Sequence, residues 1–438
     1  MLRCLTLVNL KKILSLVNKI WLSGNIPPSW KHSVIIPILK PRKNTSELKS
    51  YRPISPTSVS CKTTERIICR RLTDFFLKEN VFHPHHFGFI PFRSCESLQM
   101  MFFNTLLKAR SNKEYIIAAS LDISSAYDSV WPDGVVYKAL QIGLSGHTAR
   151  WIHEFLTNRT LQVRWSGKLS ASFTSNRAVP QGCCISPFLF TIYLQDVFEI
   201  IPPGVTCIIY ADDIFIICSR QNVKTKLQIT IQKIQIWCET WKIKLDPTKS
   251  TVVNFSNKRQ TPNFQISVDN VYIPWSNNMK VLGIFFSANL SFNCHFNYVA
   301  KKALKRLGYL RALGGSNWGA NTVHLLRLVN ACIRSICEFG AEVTSYAGST
   351  SWRKLYITIA SDLQRDFLVG PRSLLCLLKR AKFAYEIEVW LSLLVFYFDI
   401  LRWEINFPQL RSLIFVLWMV YVLHLKNGFQ WVRTGSNF

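Results

Sequence analysis

The sequence predicts an α+β protein in which helices and strands alternate along the chain. Segments with apolar residues at helical spacing are interspersed with short β-rich runs, and no repeat length recurs over the 438 residues. Hydrophobic residues make up 49% of the chain and charged residues 18%, so a sizeable core can form. This composition excludes a disordered protein, which would carry few apolar residues and many charges.

The N-terminal elements follow from apolar spacing and from turn residues. Apolar side chains at helical spacing over residues 10–21 predict an amphipathic packing helix, which residues 24–30 (GNIPPSW) end. Residues 33–39 (SVIIPIL) predict a strand, followed by a polar, basic loop over residues 40–49. A helical pattern then covers residues 63–77.

The central elements include the two most β-rich runs of the chain. Residues 116–122 (IIAASLD) predict a strand, and residues 207–218 (CIIYADDIFIIC) predict a hairpin folded about a central turn. Helices are predicted over residues 134–161 and 187–200, and a further strand over residues 280–286. Later segments complete the pattern, with a helix expected over residues 296–313 and two buried apolar helices over residues 389–398 and 413–425.

The charge balance points to a polyanionic partner. Lys and Arg number 53 against 25 Asp and Glu, which gives a formal net charge of +28. A nucleic acid fits this charge, and an anionic lipid surface would fit it equally well. The 13 cysteines are odd in number and irregularly spaced, unlike a disulfide framework or a zinc ribbon. Reduced thiols in an intracellular protein are therefore expected.

Three aspartates stand out because they adjoin apolar strands in so basic a chain. Asp122 ends one predicted strand, and Asp212 and Asp213 lie at the tip of the predicted hairpin. Carboxylates brought together at strand ends repel one another and favour a divalent cation such as magnesium. Two such ions can activate an attacking hydroxyl and stabilise a departing phosphate oxygen. The alternative is that Asp212 and Asp213 only form the turn of the hairpin.

The residues around these aspartates resemble the reverse transcriptases of non-LTR, LINE-type retrotransposons, especially jockey-like elements. Tyr210-Ala211-Asp212-Asp213 is similar to the Y-x-D-D box, and residues 121–130 (LDISSAYDSV) are similar to the first palm motif. Residues 178–190 (AVPQGCCISPFLF) resemble the Pro-Gln-Gly segment that precedes the palm helix. Further segments match in the family's order: residues 33–41, 51–58, 87–94, 241–255 and 281–295.

The resemblance implies a right-hand polymerase fold with an RRM-like antiparallel palm sheet and a mostly helical C-terminal tail. The implied activity is RNA-directed DNA polymerisation, in which deoxynucleotides are added to a DNA 3′-hydroxyl on an RNA template. The chain would need two magnesium ions, no organic cofactor and no membrane partner. It would be intracellular, in the nucleus and cytoplasm as a ribonucleoprotein. The expected domains are an N-terminal helix (1–27), fingers (28–115), palm (116–275), thumb (276–345) and an uncertain helical region (346–438).

The resemblance also implies the metal ligands and the residues that surround the incoming nucleotide. Asp122, Asp212 and Asp213 would hold the two ions, with the carbonyl of Ile123 nearby. Tyr127 would stack under the incoming sugar and exclude a 2′-hydroxyl, although a core aromatic is the alternative.

The remaining expected substrate contacts lie in loops. Gln181, between Pro180 and Gly182, would touch the nucleotide and the template strand. Lys40 and Arg52 would bind the triphosphate, or else be solvated surface charges. Lys249 lies where the family places a lysine near the pyrophosphate leaving group, and its alternative is an ordinary turn residue.

The segment from residue 280 to 334 contains eight basic residues and no acidic residue, and it is interpreted as the thumb. Its predicted helix places basic side chains one turn apart, where they would contact phosphates: Lys301, Lys302, Lys305 and Arg306. Val299, Leu307, Leu310 and Leu313 would pack on the palm. A merely solvated charged face is the alternative.

Two other functions remain open at this stage. A catalytically decayed remnant that only binds RNA is one, because Ile90 replaces the family's usual Arg after Phe89 and Ala178 replaces its usual Gly. A peripheral membrane protein held by residues 384–438 is the other.

Overall fold

A computed structural model describes residues 4–359 except 42, 257–263, 314–318, 321, 348–350, 353 and 356. Two compact units divide the chain, Met1–Val299 and Ala300–Phe438. The first unit carries the β-strands: β1 (His32–Leu39), β2 (Tyr51–Ile54), β3 (Ile116–Asp122), β4 (Arg159–Trp165), β5 (Lys168–Leu169), β6 (Phe173–Ser175), β7 (Val205–Tyr210), β8 (Asp213–Ser219), β9 (Thr251–Asn254), β10 (Ser267–Val268), β11 (Val271–Tyr272), β12 (Asn278–Val281) and β13 (Ile284–Ser287).

The helices are distributed over both units. Those of the first unit are α1 (Leu7–Ser23), α2 (Pro28–Lys31), α3 (Val59–Lys78), α4 (Cys95–Ser111), α5 (Ala126–Ser129), α6 (Pro132–Gln141), α7 (Gly146–Leu156), α8 (Ser186–Leu194) and α9 (Val223–Thr240). Helix α10 (Asn293–Arg311) begins in the first unit and ends in the second, where it is followed by α11 (Thr322–Val329), α12 (Ser335–Cys337) and α13 (Ala341–Thr344). The predicted α+β class is confirmed.

The central sheet has the strand order β7-β8-β3-β9, and every neighbouring pair is antiparallel. Strand β3 is buried along almost its whole length because α4 and α9 pack against the sheet. Helix α8 is apolar on all sides and fully buried, as its sequence SPFLFTIYL requires. The predicted strand at residues 116–122 and the predicted hairpin at residues 207–218 are therefore confirmed.

A second sheet, here called the N-terminal sheet, has the order β2-β1-β4-β5, with β6 also paired to β4. Strands β1 and β2 form an antiparallel pair in which Ile38 lies opposite Arg52. Strand β4 runs parallel to β1 and supplies the buried Arg159. The guanidinium of Arg159 donates to the carbonyl of Phe155 and to the hydroxyl of Ser33 (both 3.0 Å), which ties the sheet to α7.

Several predicted elements differ in extent. The helix expected over residues 134–161 is two helices, α6 and α7, which are separated by residues 142–145, and the strand β4 begins at Arg159. The helix expected over residues 187–200 is α8, which ends at Leu194 and continues as a 3-10 helix over Gln195–Ile200. The strand expected over residues 280–286 is a hairpin, β12–β13, because Leu282 and Gly283 both take positive φ at its turn. Of the apolar residues expected to pack, Val17 and Ile20 of α1 are buried, whereas Leu10, Leu14 and Leu313 are exposed.

Among the described residues, no helix combines the length and the apolar character that a membrane crossing requires. The apolar runs at residues 389–398 and 413–425 lie outside the described residues, as does most of the predicted region 346–438. The boundaries given for fingers, palm and thumb stay predictions.

Candidate active site

The three aspartates lie together at one end of the central sheet. Strand β3 ends at Asp122 and β8 begins at Asp213, and the two residues are direct cross-strand partners. Such partners have Cα atoms about 4.5–5.5 Å apart. Ala211 and Asp212 form the two-residue loop that joins β7 to β8, so Asp212 directly precedes Asp213. The register thus brings together two carboxylates, those of Asp122 and Asp213, that are 91 residues apart in sequence.

Burial and the repulsion between neighbouring carboxylates both raise the pKa values of Asp212 and Asp213. Burial, and then the charges of Asp212 and Asp122, raise the pKa of Asp213 to about 7. Asp212 is an exposed turn residue. The surrounding protein nevertheless removes part of the hydration of its carboxyl, which raises the pKa of Asp212, and the charge of Asp122 adds to this rise. Lys249 and Arg52 act in the opposite direction. A cation at this point would relieve the repulsion.

The donor set suits magnesium, although the described residues contain no preformed cluster of three or more His, Cys, Asp and Glu side chains able to hold an ion. Magnesium usually takes only one or two carboxylates and completes its shell with water and substrate phosphates. Asp122 and Asp213 supply such a pair, and Asp212 lies beside them. Ile123 follows Asp122 directly and forms a bridge to Leu245.

Lys249 supplies the positive charge nearest to Asp122. Its Nζ lies 3.1 Å from Asp122 Oδ2 and 2.7 Å from Asp246 Oδ2. The backbone N–H of Asp246 donates to the carbonyl of Asp122 (2.8 Å), and its Oδ1 accepts from the hydroxyl of Thr248 (2.5 Å). Hydrogen bonding to Asp246 raises the pKa of Lys249. Asp246 was not among the predicted site residues, although its place in LDPTK, three residues before Lys249, could have revealed it.

Tyr127 lies at the edge of the same site. It belongs to the short helix α5, and its ring stacks on Phe190 with 5.1 Å between the ring centroids. Burial raises the pKa of Tyr127, and the nearby charge of Asp212 adds to this effect. The backbone N–H of Val179 donates to the carbonyl of Tyr127 (2.9 Å). Tyr127 is only half-buried.

The loop with Gln181 is held between the N-terminal sheet and the central sheet. The N–H of Ser55 donates to the carbonyl of Gln181 (2.7 Å), and a Cβ on Gly182 would lie 2.9 Å from the carbonyl oxygen of Ser55. Gly182 also takes φ +125°, a conformation that favours glycine. The side-chain amide of Gln181 donates to Asp128 Oδ1 (3.1 Å), which identifies Asp128 as a second residue that the sequence analysis missed.

A buried carboxylate fixes the end of this loop. Glu65 of α3 is fully buried, and its Oε2 accepts from the N–H groups of Cys184 (2.5 Å) and Ile185 (3.2 Å). Its Oε1 accepts from the thiol of Cys61 (3.2 Å). Glu65 therefore holds the N-terminus of α8, and with it the loop, at a fixed position.

The two departures from the family pattern lie in different surroundings. Ala178 takes φ +80°, so it adopts the left-handed backbone that a glycine would take without strain. Its N–H donates to the carbonyl of Val130 (3.0 Å). Ile90 is buried in the core.

The two predicted triphosphate ligands lie on the N-terminal sheet and its loop. Lys40 follows β1 and its Nζ donates to the carbonyl of Lys49 (2.9 Å), while Arg52 lies in β2. Burial raises the pKa of Asp128, and the charge of Lys40 opposes this effect. The charge of Arg52 likewise opposes the rise in the pKa of Asp212. Both cations are therefore close to the acidic end of the central sheet.

A short extended segment supports the hairpin that carries Asp212. The N–H of Phe87 donates to the carbonyl of Ile209 (2.8 Å), and the N–H of Ile209 donates to the carbonyl of His85 (3.0 Å). Gly88 then packs directly on the turn, because a Cβ at this position would lie 2.3 Å from the backbone nitrogen of Ala211. Ala211 itself has φ +53°.

Acid is expected to destabilise this support through His86. Burial lowers the pKa of His86 from 6.5 to about 4. The unfolded chain therefore binds more protons than the folded chain between these values, and stability falls as pH falls from about 6.5 to about 4.

The substitution His86→Asn tests this expectation. When the pH is lowered from 7 to 4.5, the unfolding free energy should fall in both proteins, and the fall should be smaller in His86→Asn than in the wild type by on the order of 2 kcal/mol. Denaturant titration at both pH values measures this. The exposed His32→Asn is the control, and an equal fall in all three proteins would contradict the assignment.

The four predicted nucleic-acid ligands lie in the second unit on α10. Lys301, Lys302, Lys305 and Arg306 are all exposed, while Ala303, Leu307 and Leu310 on the same helix are buried. The basic residues therefore form an exposed face of the helix, as predicted, and their contact with nucleic acid stays a prediction.

Comparison with known proteins agrees with this geometry. The family "Reverse transcriptase (RNA-dependent DNA polymerase)" matches residues 38–286, more than half of the chain. The probable RNA-directed DNA polymerase from transposon BS of Drosophila melanogaster is 27% identical over 342 residues, which are 76% of this chain and 38% of that protein. The RNA-directed DNA polymerase from mobile element jockey of the same species is 27% identical over 353 residues, 78% and 38% of the two chains.

The chain thus spans less than two fifths of the length of these relatives. Among solved structures, apo telomerase from Candida Tropicalis aligns with a TM-score of 0.46 at 12% identity and covers 87% of this chain and 72% of that one. The family match and the jockey relative confirm the resemblance drawn from the motifs. The chain belongs to the reverse transcriptase family, and its relatives are polymerases of mobile elements.

Proposed function

We propose that this chain is an RNA-directed DNA polymerase that transfers a nucleotide from a deoxynucleoside triphosphate to a DNA 3′-hydroxyl on an RNA template. The observation that carries the proposal is the cross-strand pairing of Asp122 with Asp213, with Asp212 in the adjoining turn. Cations, an aromatic ring and a rigid loop surround these carboxylates, and this combination suits phosphoryl transfer.

Asp122, Asp212 and Asp213 would hold two magnesium ions, with the carbonyl of Ile123 as an additional ligand. Bound magnesium supplies activation of the attacking hydroxyl and stabilisation of the departing phosphate oxygen. The raised pKa of Asp213 supports this role, because a divalent cation would keep that carboxyl deprotonated at neutral pH.

The chain's own residues would bind and orient the nucleotide. Lys40 and Arg52 lie close enough to the acidic residues to bind a triphosphate there. Tyr127 would pack under the sugar, where a 2′-hydroxyl would collide with its ring. Gln181 would contact the nucleotide and the template from its fixed loop. Lys249 would leave Asp122 and bind the leaving pyrophosphate, while Asp246 keeps it nearby.

An RNA template and a DNA primer are the proposed partners. The exposed basic residues of α10 would contact their phosphates in a sequence-independent and salt-sensitive way. A ribonucleoprotein within the cell, in the nucleus and the cytoplasm, is the setting that this partner set implies.

Primer extension tests the proposal. Purified protein is given an RNA template, a labelled DNA primer, deoxynucleotides and magnesium, and it is expected to extend the primer. Chelation of magnesium by EDTA should stop extension, and restoring magnesium should resume it. Ribonucleotides should be incorporated poorly if Tyr127 contacts the sugar. A folded sample that binds RNA but adds no nucleotide would contradict the proposal and favour the RNA-binding remnant.

A further inference from the structure

Two phenylalanines adopt an unusual backbone conformation beside the catalytic turn. Phe89 has φ +60° and Phe92 has φ +63°, both in the left-handed region that bulky residues rarely occupy. Their side chains are 49% and 90% exposed. A glycine at either position would avoid the strain. Phe92 gains almost no burial in return, and Phe89 gains only half of what a core position would give. Local stability therefore does not account for phenylalanine at these two positions.

The loop that carries these rings is rigidly held. The guanidinium Nη1 of Arg93 donates to the carbonyls of His83 and His86, both at 2.6 Å. The N–H of Arg93 also donates to the carbonyl of Ile90 (3.2 Å), which closes the turn that contains Phe92. Ile90, which lies between Phe89 and Phe92 in the sequence, is buried. The rings are thus presented to solvent from a fixed backbone.

The position of the loop relates the rings to the proposed reaction. Gly88 is in contact with the main chain of Ala211, and its carbonyl accepts from the hydroxyl of Thr191 (3.3 Å). Phe89 is the next residue, so its Cα lies about 3.8 Å from that of Gly88. Asp212 likewise directly follows Ala211. The main-chain segment that carries Phe89 and Phe92 therefore contacts the main-chain segment that carries Asp212 and Asp213.

We propose that Phe89 and Phe92 form a contact surface for the nucleic-acid strands at the polymerisation site, with their rings against the apolar faces of bases or sugars. This inference rests on the proposed function, since the strand end must lie at the carboxylates during the reaction. Aromatic side chains bind every base in the same manner, which suits an enzyme that must advance along any sequence. The basic residues elsewhere bind phosphates, whereas these two rings bind the uncharged part of the strand.

The test measures binding without catalysis. Primer–template duplexes carry 2-aminopurine either at the primer 3′ end or at the first unpaired template base, and no nucleotide is added. Phe89→Gly and Phe92→Gly are each expected to weaken binding roughly tenfold and to change the fluorescence at one of the two positions. That position shows which strand is contacted. Thermal stability should be unchanged or higher, because each substitution relieves backbone strain.

Matched controls separate the contact from a general effect. Phe92→Tyr keeps the ring and should restore binding. Tyr272→Ala removes another exposed aromatic ring, and Asn270→Gly changes another left-handed residue, so neither should alter binding. Wild-type affinity in both glycine variants, or a wild type that binds no primer–template, would overturn the inference. A wild type that binds through the two rings but never extends the primer would overturn only the proposed polymerase activity.

Discussion

Asp212→Asn is expected to lower nucleotide incorporation on the order of a thousandfold or more. The substitution keeps the size of the side chain but removes a charge that would hold magnesium, and metal assistance contributes several kcal/mol to such a transition state. The fold should not suffer. The charge of Asp212 raises the pKa of Asp213, so its removal relieves a repulsion in the metal-free protein. The melting temperature without metal should therefore be equal or higher, and RNA affinity almost unchanged.

The control for Asp212 is another aspartate in a hairpin turn of the same unit. Asp269 joins β10 to β11, is exposed and has φ +50°. Asp269→Asn makes the same chemical change away from the carboxylates and should leave primer extension intact. Single-turnover extension, melting temperature and RNA affinity are measured for all three proteins. An Asp212→Asn protein that extends primers at the wild-type rate would remove the carboxylate from the proposed chemistry.

Gly88→Ala is expected to lower activity on the order of a hundredfold although residue 88 carries no functional group. The new methyl would lie 2.3 Å from the nitrogen of Ala211 and 3.1 Å from its Cα, so main chain must move. Ala211 directly precedes Asp212, so this movement would displace the carboxylate. A displacement of about 1 Å at a reacting centre lowers the reaction rate about a hundredfold. Overpacking should also lower the unfolding free energy by about 1–3 kcal/mol.

Gly146→Ala is the matched control, because nothing lies within 4 Å of the position that its Cβ would take. It should be neutral or slightly stabilising, since alanine favours helix α7 more than glycine does. Initial extension rates and denaturant titrations distinguish the two variants. Wild-type activity together with wild-type stability in Gly88→Ala would contradict the role of packing at this position. An equal loss of activity and stability in Gly146→Ala would contradict it as well.

Sequence patterns were sufficient for the elements whose determinants are local. The hairpin at residues 207–218 is an apolar run interrupted by a turn, α3 follows from its helical spacing, and α8 follows from its continuous apolar run. The identity of the three aspartates followed from their placement next to apolar strands. Boundaries were less predictable: Arg159 begins β4, which pairs with β1 through Thr160 opposite His32, 128 residues earlier in the chain. No local pattern encodes this pairing.

The residues that support the site escaped prediction because their roles depend on long-range contacts. Glu65 carries charge on a helix and would ordinarily face solvent, yet it is buried against the N–H groups of Cys184 and Ile185. No local pattern shows that Gly88 contacts the main chain of Ala211, where a side chain cannot fit.

The register that pairs Asp122 with Asp213 also sets how the site tolerates genetic change. Side chains alternate between the two faces of a strand, so one extra codon within β3 would turn Asp122 to the opposite face and move its partner. Most substitutions along the same strand would keep both carboxylates in place. In lineages of this chain, inserted and deleted codons should therefore be rarer inside β3 and β8 than substitutions, and most frequent in the loops that join other strands.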